Sequence, residues 1–506
     1  MNMDVKSQVK EPHLLAIDQG TSSSRAILFS KDGEIRSIFQ KEIALCYPNS
    51  GWVEQDPRDI IRTTLWAIQR IVFENPGIEI AGAGITNQRE TTVLWDKTTG
   101  EPIYNAIVWQ DRRTAEYCAA LRAQGYEEMV RRKTGLLLDP YFSATKIRWI
   151  LQHVDGAMEK ARRGEVLFGT TETFLIWHLT KGARHVSDAS NASRTMLYNV
   201  VDQCWDSDLL ELFDVPTGIL PVVDDNVSDF GQIDRGYLVD SAMDIRIGGA
   251  AGDQQAALIG QACFSPGMIK STYGTGCFAL MNIGGDFVES KNRLLTTIAY
   301  RINGSVTYAA EGSIFNAGTA IQYLRDNLTF FDHARDSEDL ALSVQDSGGV
   351  YFVPSFTGLG APYWNAEARG LICGLGRDST KAHITRAALE AQGYQTRDLM
   401  QAMQDDTGRI IGNLRVDGGL VVNRFMCQFL SDVLQRSVEV PRVTESTAWG
   451  AACLAGVQAG VFSSLENVGR NWKSADSYMP QRSLEEMDAH YSGWLEAVAR
   501  VNLAGM

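Results

Sequence analysis

The chain has 506 residues, 44% hydrophobic and 21% charged, with 61 acidic against 47 basic side chains and a formal charge of −14. At about 150 residues per domain this length excludes a single small module, and the apolar content excludes a largely disordered chain. The acidic balance excludes general affinity for nucleic acid or for an anionic membrane, both of which need a basic surface, so an anionic substrate requires a local site of positive potential.

The eight cysteines are scattered without a CxxC pair, and the seven histidines form no HExxH cluster. Neither a disulfide framework nor a zinc site is expected, and the cysteines read as reduced. The opening MNMDVKSQVKEP lacks the apolar stretch of a signal peptide, and no window approaches about eighteen uninterrupted apolar residues. A cytoplasmic protein without an integral membrane segment is expected.

Residues 14–29, LLAIDQGTSSSRAILF, read as a β-hairpin whose turn carries a glycine and four hydroxyls. Exposed amides and hydroxyls there suit phosphate oxygens, Arg25 adds charge, and Asp18 suits a hydrated Mg²⁺. The structural alternative is a polar turn with a solvated arginine. The segment matches neither a Walker loop nor a GxGxxG turn. Next, 56–74 predicts a helix with Asp56 as N-cap, Pro57 at the first position and Ile60, Ile61, Leu65, Ile68 and Val72 at helical spacing.

After the apolar IAGAGI come Thr86, Asn87, Gln88, Arg89 and Glu90. Arg89 beside Glu90 offers donors next to an acceptor, which suits a polyhydroxy ligand; a surface ion pair of little weight is the alternative. Trp109 and Tyr141 add aromatic groups, while Phe142 and Trp149 also fit a core. After IRIGGA, Asp253 is placed to accept a hydroxyl proton during phosphoryl transfer, or else to cap a helix beginning at Gln254.

Residues 268–281, MIKSTYGTGCFALM, repeat the hairpin order 254 residues later, judged from Gly20 and Gly274. Either the echo is chance or two related domains open with the same hairpin and form a cleft. Glycine-rich turns follow at 312–318 and 417–423, helices at 380–404 and 424–435, and a strand within 410–419. Alternating strands and helices indicate α/β architecture.

Taken together, the chain resembles the FGGY family of carbohydrate kinases, and within it the branch that phosphorylates glycerol. The likeness runs from Leu14 to the last helices through DQGTSSSR, GWVEQDP, GITNQRETTVLW, NAIVWQDRR, FGTTETFLIW, NASRTMLYN, AGDQQAALIGQ, STYGTGCF, FTGLGAPYW and RVDGGLVVN. The family's two broad signatures resemble 141–153 and 370–390. The resemblance implies two actin-like (ribonuclease H-like) domains, 1–260 and 261–506, with an interdomain active-site cleft.

It further implies ATP and Mg²⁺ as cofactors, glycerol as substrate, sn-glycerol 3-phosphate as product, and a homodimer or homotetramer. By resemblance Asp253 is the catalytic base. Arg89, Glu90, Tyr141, Asp253 and Gln254 bind glycerol, and Trp109 and Phe278 flank its carbons. Thr21, Ser22, Ser23 and Arg25 form the first phosphate loop, with Asp18 near the metal. Thr275 belongs to the second loop, and Gly318, Gln322, Gly419 and Asn423 contact nucleotide.

Two other functions are compatible with the scaffold: a kinase for another polyol, ketose or glyceraldehyde-like substrate, and a catalytically silent ATP-binding protein. Retention of Arg89, Glu90, Trp109, Tyr141 and Phe278 speaks against the first. Retention of Asp18, Asp253 and Thr275 speaks against the second. One departure stands out, because relatives controlled by fructose 1,6-bisphosphate carry a Gly-rich, Arg-containing loop where this chain reads FGQIDRGYLVDSAMDIRIGG (230–249). The histidine that some Gram-positive relatives have phosphorylated is missing from this interval too. Fructose 1,6-bisphosphate titrated into the purified protein is therefore expected to inhibit weakly or not at all; strong inhibition would contradict this reading of the interval.

Overall fold

A computed structural model describes residues 11–238, 243–365 and 367–503; positions 239–242, inside the interval just discussed, lie outside the described residues. The chain forms two compact units. The first holds the described residues up to Ala262 together with Thr297–Tyr308 and Glu445–Asn471, and the second holds the remainder.

In the first unit, β1 (His13–Gln19), β2 (Ser23–Ser30), β3 (Ile35–Glu42), β4 (Ile80–Asn87) and β5 (Ile247–Gly252) form one sheet in the order β5-β4-β1-β2-β3. β1 and β2 make the expected antiparallel hairpin, with Asp18 opposite Arg25. β1, β4 and β5 are parallel neighbours, with Asp18 opposite Thr86 and Gly252 opposite Asn87. Central parallel strands are covered on both faces, so β1 is buried along its whole length. The helix Pro57–Glu74 starts where expected, its Asp56 cap accepting from the Arg58 N–H at 2.9 Å, and buries Ile60, Ala67, Ile68, Ile71 and Val72.

The helices Asp253–Gly260 and Ser446–Gln458 pack together through glycine. A Cβ on Gly450 would lie 1.9 Å from the Ala256 carbonyl, and one on Gly260 would lie 1.9 Å from that of Ser446. Gly84 of β4 meets the Ala451 carbonyl in the same way, again at 1.9 Å. These backbone-to-backbone contacts seat the helix that begins at Asp253 against its neighbours.

A second sheet holds β6 (Ile269–Tyr273), β7 (Cys277–Gly284), β8 (Leu295–Ile302), β9 (Ser305–Ile314), β10 (Leu414–Asp417), β11 (Val438–Pro441) and β12 (Ser474–Tyr478) in the order β8-β9-β7-β6-β10-β11-β12. β6 pairs antiparallel with β7 and parallel with β10, which pairs parallel with β11. That is the arrangement of β1 with β2, β4 and β5, so the half-length echo is a repeated piece of topology. The strand within 410–419 is only Leu414–Asp417, because glycines bound it on both sides. Helix Lys381–Thr407 starts at a capping box in which Thr380 and His383 exchange hydrogen bonds. It packs Tyr394 against Phe429 and Trp494 in the core, with the Tyr394 and Trp494 rings stacked at 5.5 Å. Among the described residues no helix is long and apolar enough to cross a membrane.

Gly450→Ala is expected to cost about 1–3 kcal/mol of unfolding free energy, because the added methyl forces two helix backbones apart. Urea unfolding checks this, and an unchanged midpoint would refute the close contact.

Candidate active site

Three parallel strands of the first unit end side by side. The carboxyl end of β1 carries Asp18, that of β4 leads into Arg89 and Glu90, and that of β5 leads into Asp253. Ligands of open α/β sheets bind at this edge. Glu90 sits in the left-handed region at φ 61°, which turns the chain back immediately after Arg89. A Cβ on Gly252 would fall 2.7 Å from Cγ of Arg89, so glycine there leaves the arginine room to pass.

Arg89 is the hub. Only 2% of its side chain is exposed, and its Nε lies 3.3 Å from Oδ1 of Asp253. Its other nitrogens donate to Oε1 of Gln255 at 3.3 Å and to the Tyr141 hydroxyl at 3.5 Å. Glu90 is also buried, and its Oε1 is 3.8 Å from Arg89 Nε but accepts from Arg194 Nε at 2.6 Å. The surface-pair alternative for Arg89 and Glu90 therefore does not hold, and the closer partner of Glu90 is Arg194. Asp253 is the first residue of its helix rather than a cap before Gln254, and its Oδ1 accepts from the Gln254 N–H at 2.7 Å. With its side chain 35% exposed, Asp253 is the more accessible member of the pair.

Aromatic groups line this cluster. The Trp109 and Tyr141 rings meet edge-on at 5.6 Å, and Trp109 Nε1 donates to Oγ1 of Thr21 at 2.9 Å. Phe142 is core, as expected. Trp149 instead meets Trp52 edge-on beside Arg113, whose guanidinium centre is 3.8 Å from the Trp52 ring and 4.6 Å from that of Trp149.

In the first turn Ser22 is exposed, Thr21 is half-buried, and Ser23 is buried with its Oγ accepting from Gln40 Nε2 at 3.2 Å. Arg25 is not a solvated arginine. Its Nε donates to Asp18 Oδ2 at 3.0 Å and its NH1 to Glu445 at 2.8 Å, so two carboxylates hold it.

In the second unit, Thr275 stands exposed in the β6–β7 turn, and its carbonyl accepts from the Ala317 and Thr319 N–H groups at 3.0 and 3.1 Å. Gly318 opens the helix Gly318–Asp326 with its N–H on the Gly274 carbonyl, so Thr275 and Gly318 are neighbours. Gln322 is exposed on that helix. Beyond β10, Gly418 at φ 96° turns the chain against Tyr273, Gly419 lies exposed, and Asn423 caps the helix Arg424–Leu434 by accepting from Met426 N–H at 2.9 Å. Phe278 lies on β7 opposite Thr272.

The residue-by-residue reading missed Arg194, Gln255 and Lys146. Arg194 stands within NASRTMLYN and Lys146 within the 141–153 signature, yet no local spacing ties either to position 90. Lys146 is wholly buried, with Nζ donating to the carbonyls of Tyr141 at 2.7 Å and Glu90 at 3.3 Å.

Residues 13–260 match the family model "FGGY family of carbohydrate kinases, N-terminal domain", and residues 269–459 match its C-terminal counterpart. The chain belongs to the FGGY family of carbohydrate kinases. It is 58% identical to a glycerol kinase of Nitrosomonas eutropha over 96% of this chain and 98% of that protein. It is 54% identical to a glycerol kinase of Ectopseudomonas mendocina over 97% and 99%. The crystal structure of Plasmodium falciparum glycerol kinase with ADP superposes at a TM-score of 0.93 and 34% identity, covering 97% of this chain and 98% of that one. A ligand-bound xylulose kinase of Lactobacillus acidophilus, at TM-score 0.88 and 21% identity over 97% and 98%, shares the fold.

Burial pushes Lys146 down to about 8, against the opposing pull of Glu90, Asp111 and Asp139. Between that value and the ordinary 10.5, the folded chain has released a proton that the unfolded chain still holds. Stability from this group therefore rises with pH across that window, and the full cost of burying the charge applies below it. In Lys146→Met the rise is expected to vanish, so the variant falls behind wild type by up to about 3 kcal/mol between pH 8 and 10.5, relative to their difference at pH 7. Unfolding free energies measured across this range check it; parallel profiles would contradict it.

Proposed function

We propose that the protein transfers the γ-phosphoryl group of ATP to a terminal hydroxyl of glycerol, giving sn-glycerol 3-phosphate and ADP, in glycerol uptake and catabolism. The observation that carries this reading is the Arg89–Asp253 contact at 3.3 Å with Tyr141 on the same guanidinium and Trp109 against Tyr141. Glycerol is three hydroxyls on a short carbon chain, and it needs several directed hydrogen bonds beside a small apolar wall. Arg89, Glu90, Tyr141 and Gln254 supply the first, and Trp109 supplies the second. Phe278 joins them on the family resemblance alone. The glycerol kinases to which the chain is more than half identical support the choice of substrate.

Asp253 orients the terminal hydroxyl and accepts its proton as the hydroxyl oxygen bonds to the γ-phosphorus. The bond from that phosphorus to the β–γ bridging oxygen breaks, and ADP leaves. Arg89, held between Asp253 and Glu90, keeps the carboxylate in place. Thr21, Ser22, Ser23 and Arg25, with Thr275, donate to the phosphate oxygens, and Gly318, Gln322, Gly419 and Asn423 contact the nucleotide. A base so placed contributes about 10²–10⁴ in rate, the remainder coming from positioning and charge stabilisation.

Mg²⁺ fits this set. Nε and NH2 of Arg25 both donate to Oδ2 of Asp18, so its Oδ1 is the oxygen that would face a hydrated cation. Among the described residues no group of three or more His, Cys, Asp or Glu forms a metal cage, and Mg²⁺ ordinarily binds one or two carboxylates with water and substrate phosphates. Asp18 would hold the ion through water, and the ion would neutralise charge on the transferring phosphate. By family resemblance the protein acts in the cytoplasm as a homodimer or homotetramer, its halves dividing near residues 260 and 261.

Coupled ADP release with ATP, Mg²⁺ and a polyol panel tests the reading. Glycerol-dependent release is expected, with Asp253→Ala losing at least about 100-fold in kcat while ATP binding persists. Near-normal turnover in the variant would remove Asp253 from its role. Release with another polyol but not glycerol would overturn the substrate.

A further inference from the structure

Beneath the strand ends lies a polar network that the proposed chemistry does not touch. Asp188, Ser190, Asn191, Asn87, Glu172 and Asn226 are all fully buried. Oδ1 of Asp188 accepts from the N–H groups of Ser190 at 2.8 Å and Asn191 at 3.1 Å, and from the Ser190 hydroxyl. Ser190 Oγ accepts in turn from the Gly252 N–H at 3.1 Å, one residue before Asp253. Asn226 Nδ2 donates both to Asp188 at 2.9 Å and to the Ala250 carbonyl of β5 at 2.8 Å.

On the other side, Asn191 Nδ2 donates to Asp188 Oδ2 at 2.7 Å and to Asn87 Oδ1 at 2.9 Å. Asn87 returns a bond to Asn191 at 3.1 Å and gives another to Glu172 at 3.0 Å, two residues before Arg89. Three residues beyond Asn191, Arg194 holds Glu90. One short stretch, residues 188–194, thus reaches the backbone before Asp253, the strand end before Arg89, and Glu90 itself.

We propose that residues 188–194 are the positioning element of the site: Asp188 and Ser190 set the height of Asp253, and Asn191 sets that of Arg89. This deepens the kinase reading above and rests on it. Paired strands need no such device to fold, and an apolar filling of this space would be at least as stable, since buried carboxylates are costly to desolvate. Burial, and then Asp188, push Glu172 up to about 7, and burial raises Asp188 as well. The hydrogen-bond partners of both acids are neutral amides and hydroxyls, which give directed bonds without a compensating cation. A polar network satisfied in this way fixes geometry more than it adds stability.

Steady-state kinetics of Ser190→Ala and Asn191→Ser, corrected for the folded fraction, tests the assignment. Ser190→Ala is expected to lower kcat at least tenfold with the ATP KM within twofold of wild type. Asn191→Ser is expected to raise the glycerol KM at least fivefold. Should Ser190→Ala not fold, Asn191→Ser decides alone. Variants that lose thermal stability but keep kcat and glycerol KM within twofold would overturn the proposal and leave the network a structural one. Wild-type protein that forms no ADP with glycerol would overturn the kinase reading and this inference with it.

Discussion

An arginine with nearly all its surface withdrawn from water has to find negative charge, and Arg89 finds it in Asp253 and Glu90. The two carboxylates differ. Glu90 is sealed in and taken by Arg194, whereas Asp253 remains partly exposed. The carboxylate more open to solvent is thus Asp253, and the Arg89 guanidinium fixes it in place. The geometry depends on small residues around it. Gly252 gives the arginine passage, and Gly84, Gly260 and Gly450 let helix and strand backbones come close enough to carry Asp253 to the strand ends.

The second unit solves a different problem with the same topology. Its hairpin, next parallel strand and following helix place Thr275, Gly318 and Gly419 on turns with exposed or glycine backbone, and Asn423 at a buried helix cap. Backbone donors at such turns recognise phosphate without needing large side chains. On the kinase reading proposed above, one half of the repeated topology supplies side-chain chemistry and the other main-chain recognition.

Local features were legible in the sequence. The two hairpins, the Asp56 cap, the Asn423 and Gly418 turn and the helices near 381 and 424 are all written in residues a few positions apart. Asp253 and Arg89 were visible as polar residues just after small apolar strands, and the family resemblance supplied their roles. The contacts that hold them were not legible. Arg194 to Glu90 and Ser190 to Gly252 join distant parts of the chain, and serine, asparagine or aspartate in a helical turn carries no sign of its partner. The solvated-arginine alternative for Arg25 fails for the same reason, because Glu445 holds it from far along the chain, and Trp149 is only half-buried, over Arg113.

The most direct measurement is a crystal structure of the protein with glycerol and a non-hydrolysable ATP analogue. One terminal hydroxyl of glycerol is expected within about 3 Å of an Asp253 carboxylate oxygen, with a neighbouring hydroxyl on Arg89 or Glu90. Glycerol bound with its hydroxyls on other groups, and Asp253 out of reach, would contradict the account.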